Sequence, residues 1–156
     1  MKRVQLSLLF SAILLIASCG GQNEKQQETE AKADMPQEQQ KLQALYDEVI
    51  EIHDEVMPKM DDIMKAKGKL QEQLDTLRES NPEDIKIAAL ENTIGKLNKA
   101  DEAMMNWMRN FKPQDDEKDS KKVLEYYKSE RVKISEVKDE MLSAIDEANE
   151  LIKKEE

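Results

Sequence analysis

The sequence predicts an all-α protein: an antiparallel up-down-up three-helix bundle or coiled coil whose first helix is kinked at a proline. Three observations carry that expectation. Ala, Glu, Lys, Leu and Arg supply 72 of the 156 residues, close to the composition of long helices. Four glycines, four prolines and six aromatic residues leave little material for a sheet. Beyond residue 40, apolar residues recur in alternating steps of three and four, the seam of a coiled coil.

The chain divides into three parts: a signal peptide over 1–18, an acylated cysteine with a flexible tether over 19–36, and the helical bundle over 37–156. Lys2 and Arg3 form a short positive region, and the run from Val4 to Ile16 is too short for a stable membrane span. It ends in "IASCG", Ile16 to Gly20, an aliphatic residue and two small residues before a cysteine. This looks like the lipobox of bacterial lipoproteins, in which small residues admit the signal peptidase and the thiol receives the lipid. Cys19 is the only cysteine, so no disulfide or paired-cysteine chemistry is available. The expectation is a lipoprotein held to the membrane by lipid on Cys19. Gly20 after the cysteine resembles the pattern sorted to the outer membrane, with the membrane face left open.

Residues 20–36, "GGQNEKQQETEAKADMP", show no apolar period and cannot bury enough surface to offset their ordering entropy. Read as coil, they reach about 20–25 Å. The first helix, about 37–79, has its seam at Leu42, Leu45, Val49, Ile52, Val56, Met60, Ile63, Leu70, Leu74 and Leu77, with Lys67 in one slot. The step from Val56 to Met60 is four where three is due, and Pro58 lies inside it, so one kinked helix is expected. In "SNPEDI", Asn81 is expected to cap the second helix, with Pro82 at its first position and Glu83 and Asp84 at the positive end of its dipole. Its seam is Ile87, Leu90, Ile94, Leu97, Met104, Met108 and Phe111, with Asp101 in one slot. Pro113 ends it. Asp115 or Asp116 is expected to cap a third helix with seam residues Val123, Tyr127, Ile134, Met141, Ile145, Ala148 and Ile152. Short connections favour antiparallel neighbours.

One stretch invites a chemical reading. "IHDEVMPKMDDIM", residues 52–64, holds the only histidine and three of the nine methionines. A turn near Ser80–Asn81 would place partners whose numbers add to about 161, setting His53 against Met108, Met57 against Met104 and Met60 against Asp101. His53, Met57, Met60, Met104 and Met108 are then candidate ligands: thioethers with imidazole suit copper(I), and a His–Met pair can hold haem iron. Met64, Met105 and Trp107 form a candidate partner groove. Against both stands a soft core, because Met fills irregular space beside a kink and packs on Trp. No second histidine, E-x-x-H before His53 or CxxCH motif supports a di-iron site or covalent haem. Asp101 is expected to pair with Tyr126 or Tyr127, and Lys67 to snorkel.

The net charge of −10 opposes binding to phosphate backbones, so nucleic acid is not an expected partner. No nucleophile–base ordering, glycine-rich phosphate loop or HExxH appears, and an enzyme is not expected. The "LYDEVIEIHDEVMPKMDDIMKAKGKL" and "ADEAMMNWMRNFKP" stretches, behind the lipobox, resemble a group of small uncharacterised lipoproteins of Bacteroidetes-type bacteria, often labelled "viral A-type inclusion protein". That resemblance covers most of residues 42–145. It implies an envelope location and a helical fold, and brings no activity and no site residues. The expectation is a non-enzymatic helical bundle with an interaction or structural role and a protein partner in the envelope. The alternative is a lipid-anchored copper or haem binder.

Overall fold

The computed structural model describes residues 36–81 and 85–154. Helix α1 spans Gln37–Val56, α2 Lys59–Ser80, α3 Lys86–Asn110 and α4 Ser120–Lys154, with no strand among the described residues. The first two are arms of one helix, so the described residues form three helices with a bend in the first.

The bend has a local cause. Met57 and Pro58 keep right-handed helical angles (φ −55°, ψ −41° and φ −62°, ψ −20°), but Pro58 has no N–H for the carbonyl four residues back, and its ring crowds that carbonyl. The ladder tightens to bonds spanning three residues instead. Met60 N–H donates to the Met57 carbonyl at 3.2 Å, and Asp61 N–H to that of Pro58 at 3.3 Å. The kink expected at Pro58 is there.

Two caps differ from expectation. Asn81 closes α2 rather than opening α3: its N–H donates to the Leu77 carbonyl at 2.7 Å. Pro82, Glu83 and Asp84 lie outside the described residues, as does the whole 1–35 segment with Cys19. At α4 the capping carboxylate is Asp119, not Asp115 or Asp116. Its Oδ1 accepts from the N–H groups of Lys121 at 3.1 Å and Lys122 at 3.4 Å, and a cap must sit directly before the helix to reach those donors.

The core is one apolar cluster running through all four segments. Every α4 seam residue named above is buried, joined by Glu130, Val137 and Ala144. Val49, Val56, Ile63 and Leu70 are buried at intervals of seven, and Ala66, not Lys67, fills the slot between the last two. The α3 seam is Leu90, Thr93, Leu97, Ala100, Met104 and Trp107. One rail of it therefore lies a residue earlier than expected, leaving Ile94, Asp101 and Met108 half-buried at its flank. The reason is electrostatic as well as steric. Burying a carboxylate in the seam is costly, whereas with Ala100 inside, Asp101 Oδ2 comes 4.0 Å from Lys67 Nζ. The two charged residues that interrupted the seams thus meet each other, and neither tyrosine is the partner of Asp101.

Cross-helix ion pairs record the registers. Glu48–Arg131 (2.8 Å) and Glu55–Lys138 (2.5 Å) both join residues 83 apart. Lys67 and Asp101 have numbers adding to 168, and Arg78 and Glu91, 2.6 Å apart, to 169. Below the bend the α2–α3 register is therefore about one heptad from the expected value of 161. Above it, helix α1 packs chiefly on α4, while α2 packs on both α3 and α4.

Candidate functional site

The end of the helices above the bend is built from rings. Tyr46 and His53 come from α1, Trp107 and Phe111 from the end of α3, and Tyr126 and Tyr127 from the start of α4. Trp107 stacks on Phe111 with centroids 4.9 Å apart, and His53 lies 5.5 Å from Trp107. Phe111 in turn neighbours Tyr46 at 6.3 Å, Tyr126 at 6.2 Å and Tyr127 at 6.5 Å. Tyr46 and Tyr127 meet edge-on at 5.6 Å. Five of the six aromatic residues belong to this array; the sixth, Phe10, lies outside the described residues. The bend explains why rings are needed. It carries α1 away from α3 and onto α4, and only large side chains span what is left. The His53–Trp107 pair, whose numbers add to 160, sits close to the expected register, so the shift to 168 occurs across Pro58.

The tyrosine hydroxyls tie down the connection between α3 and α4. Tyr126 Oη accepts from Lys112 N–H at 2.8 Å, and Tyr127 Oη from Gln114 N–H at 2.9 Å. Burial pushes both phenols above their ordinary pKa, partly offset by these backbone donors.

His53 is one-fifth exposed, and its Nδ1 lies 2.8 Å from Asp54 Oδ1. A carboxylate can only accept, so Nδ1 carries the proton and Nε2 remains for any other role. The methionines are dispersed by depth. Met104 is fully buried, while Met60 and Met108 are partly buried against the core. Met57, Met64 and Met105 are 37%, 58% and 39% exposed. In the register set by Lys67–Asp101, Met64 comes level with Met105 and Met60 with Met108, replacing the Met60–Asp101 pairing expected from the sequence. Trp107, placed in the partner groove with Met64 and Met105 on sequence grounds, is only 7% exposed. Among the described residues, no group of three or more His, Cys, Asp and Glu could hold a metal ion. A soft-metal site would draw on His53 Nε2 and thioethers alone.

One residue escaped the sequence reading. Glu130 is 4% exposed inside the α4 seam, with Oε1 2.7 Å from Lys133 Nζ. The signal was the seven-residue step from Tyr127 to Ile134, which leaves a core slot with no apolar occupant. The contact holds the Lys133 ammonium above its ordinary pKa, chiefly through that hydrogen bond. No described helix is long and apolar enough to cross a membrane. Comparison with known proteins finds no family model, no curated protein and no solved structure that matches this chain.

Proposed function

We propose that this protein is a lipid-anchored helical bundle of the cell envelope with a non-enzymatic interaction or structural role. The observation that carries the reading is "IASCG" at the end of the apolar run, with Cys19 the only cysteine in the chain. Lipid on Cys19 holds the protein at the outer membrane, and Cys19 lies outside the described residues. The finer architecture is an antiparallel up-down-up bundle. A constant separation of 83 between α1 and α4 is what parallel neighbours give, and a nearly constant sum between α2 and α3 is what antiparallel ones give; both support it. The likeness to small lipoproteins of Bacteroidetes-type bacteria fits the same picture.

Labelled fatty acid should enter the wild-type protein and not Cys19→Ser, and the serine form should leave the membrane fraction. Equal membrane retention of the two would sink the anchor.

A second reading has one observation in its favour. A carboxylate on one imidazole nitrogen is the arrangement that orients a metal-ligating histidine, and His53 has it in Asp54. Copper(I) would then take His53 Nε2 with Met57, one turn further on. Titration under reducing conditions should show a one-to-one complex that His53→Gln removes; no stoichiometric uptake would discard this reading.

A further inference from the structure

The flank of the α2–α3 seam beside the bend is rich in sulfur. Three of the five large apolar side chains exposed among the described residues are methionines: Met57 at 37%, Met64 at 58% and Met105 at 39%. Every described leucine, by contrast, is buried or half-buried. Met64 precedes Lys67 by three residues and Met105 follows Asp101 by four, so both stand on the flank where Lys67 and Asp101 meet at 4.0 Å. Met57 lies two turns before Met64, at the bend.

Packing explains this exposure poorly. A thioether standing in water buries little apolar area, and Glu, Lys or Arg would favour the helix as well. What methionine has and leucine lacks is an oxidisable sulfur. Its neighbours on the same flank are oxidisable too, but they hold the fold. Met60 and Met108 pack against the core, and Trp107, beside Met108 in the chain, is only 7% exposed. A sulfoxide at Met60 or Met108 would put a polar oxygen into packing next to the bend. Met104 and Met141 are fully buried.

We infer that Met57, Met64 and Met105 are sacrificial thioethers, a modification site that spends hypochlorous acid at the surface and spares Met60, Met108 and Trp107. Each sulfur gives an electron pair to HOCl, the O–Cl bond breaks and chloride leaves. An S–O bond forms and a proton is released, so sulfur loses the two electrons that chlorine gains. The products are one sulfoxide, one chloride and one proton. These side chains stand outside the core, so the added oxygen is hydrated and the helices stay packed. The inference goes beyond the function proposed above and depends on neither the lipid nor a protein partner.

The test treats the full chain with substoichiometric hypochlorous acid, reading each methionine and Trp107 by peptide mass spectrometry and the fold by circular dichroism. Met57, Met64 and Met105 should be converted at least about tenfold faster than Met104 and Met141, because reaction follows exposure. Helix content should not change. The variant Met57→Leu/Met64→Leu/Met105→Leu keeps the apolar volume and removes the sulfur. At the same dose its Met60, Met108 and Trp107 should be oxidised about twofold further than in wild type. Met64→Leu alone should divert oxidant in the same direction by less. Met1 and Met35, which lie outside the described residues, are scored separately in both proteins. Conversion of the three no faster than that of Met104 overturns the inference. So does loss of helix once the three are sulfoxides, since oxidation there would then damage the fold. Equal oxidation of Met60, Met108 and Trp107 in wild type and the leucine variants also overturns it, because nothing would then be shielded.

Discussion

The two ends of the helical body solve the same packing problem differently. Below Pro58, aliphatic residues close the seams of α2, α3 and α4: Leu70, Leu74, Leu90, Leu97, Ile145 and Ile152, with Ala100, Ala144 and Ala148 admitting close approach. Above it, α1 leans on α4 and the space toward α3 is filled by Tyr46, Trp107, Phe111, Tyr126 and Tyr127. One missing backbone N–H at Pro58 separates the two regimes. The lesson is that side-chain size follows helix divergence. Where the axes stay close, small and branched residues interlock; where they part, rings bridge, and polar atoms enter the core with them.

The sharpest way to break this contrast is to excavate the tight end. Leu97 is fully buried, and Leu97→Ala should lower unfolding free energy by about 2–5 kcal/mol in urea titrations. A loss below about 1 kcal/mol would mean the helices close over the gap, and the aliphatic end is not the rigid one.

At the ring end, Tyr127→Phe removes only the hydroxyl that accepts from Gln114 N–H. It should cost about 0.5–1.5 kcal/mol and speed amide exchange in the 112–118 connection more than in α2. The ring end should also be the alkali-sensitive one. Burial raises the folded pKa of Tyr126 and Tyr127 above the ordinary phenol value of 10.0, so each favours the folded state fully below pH 10 and loses that contribution as pH climbs through its folded pKa. Tyr126→Phe and Tyr127→Phe should flatten the alkaline limb of stability against pH.

Gly68 and Gly95 are exposed helical positions where an added Cβ meets nothing within 4 Å. Changing either to Ala should raise stability by about 0.5–1 kcal/mol. A loss at Gly68 alone would show that α2 uses backbone flexibility in its middle.

The smallest effect belongs to the aliphatic end at acid pH. Lys96 first, and then Thr93, lower the pKa of Glu147 below 4.5 against the opposing pull of burial. Its contribution is therefore present above pH 4.5 and lost as pH falls through the depressed value. Glu147→Gln should soften the acid limb slightly, because the carboxylate is a third exposed and solvent screens it.

The sequence revealed the helices, the bend and the α4 seam because those rest on local chemistry: apolar spacing, a proline and turn residues. It misplaced one rail of α3 because two apolar stripes overlap there. Ile94 and Met108 look as good as Thr93 and Trp107 until the neighbour is known, and the only sign was that Asp101 made a poor core residue. The register below the bend was missed because the turn is centred later than Ser80–Asn81: α2 ends at Ser80 and α3 begins only at Lys86. The expected methionine levels carried the same error, as they were counted from a turn centred near Ser80–Asn81. Of the ring array only Phe111 and Tyr127 stood in the predicted seams; its convergence was hidden because its members lie on three separate helices.

The 83-residue separation between α1 and α4 also dictates an order of events in time. The α2–α3 pairing joins residues as few as 13 apart, so its loop closes cheaply and early. Helix α1 leaves the ribosome before either, yet its main partner is made last. Until Arg131 and Lys138 are available to Glu48 and Glu55, the face carrying Val49 and Val56 has nothing to cover it. Loop-closure entropy therefore places docking of α1 after the α2–α3 hairpin as the expected order of assembly.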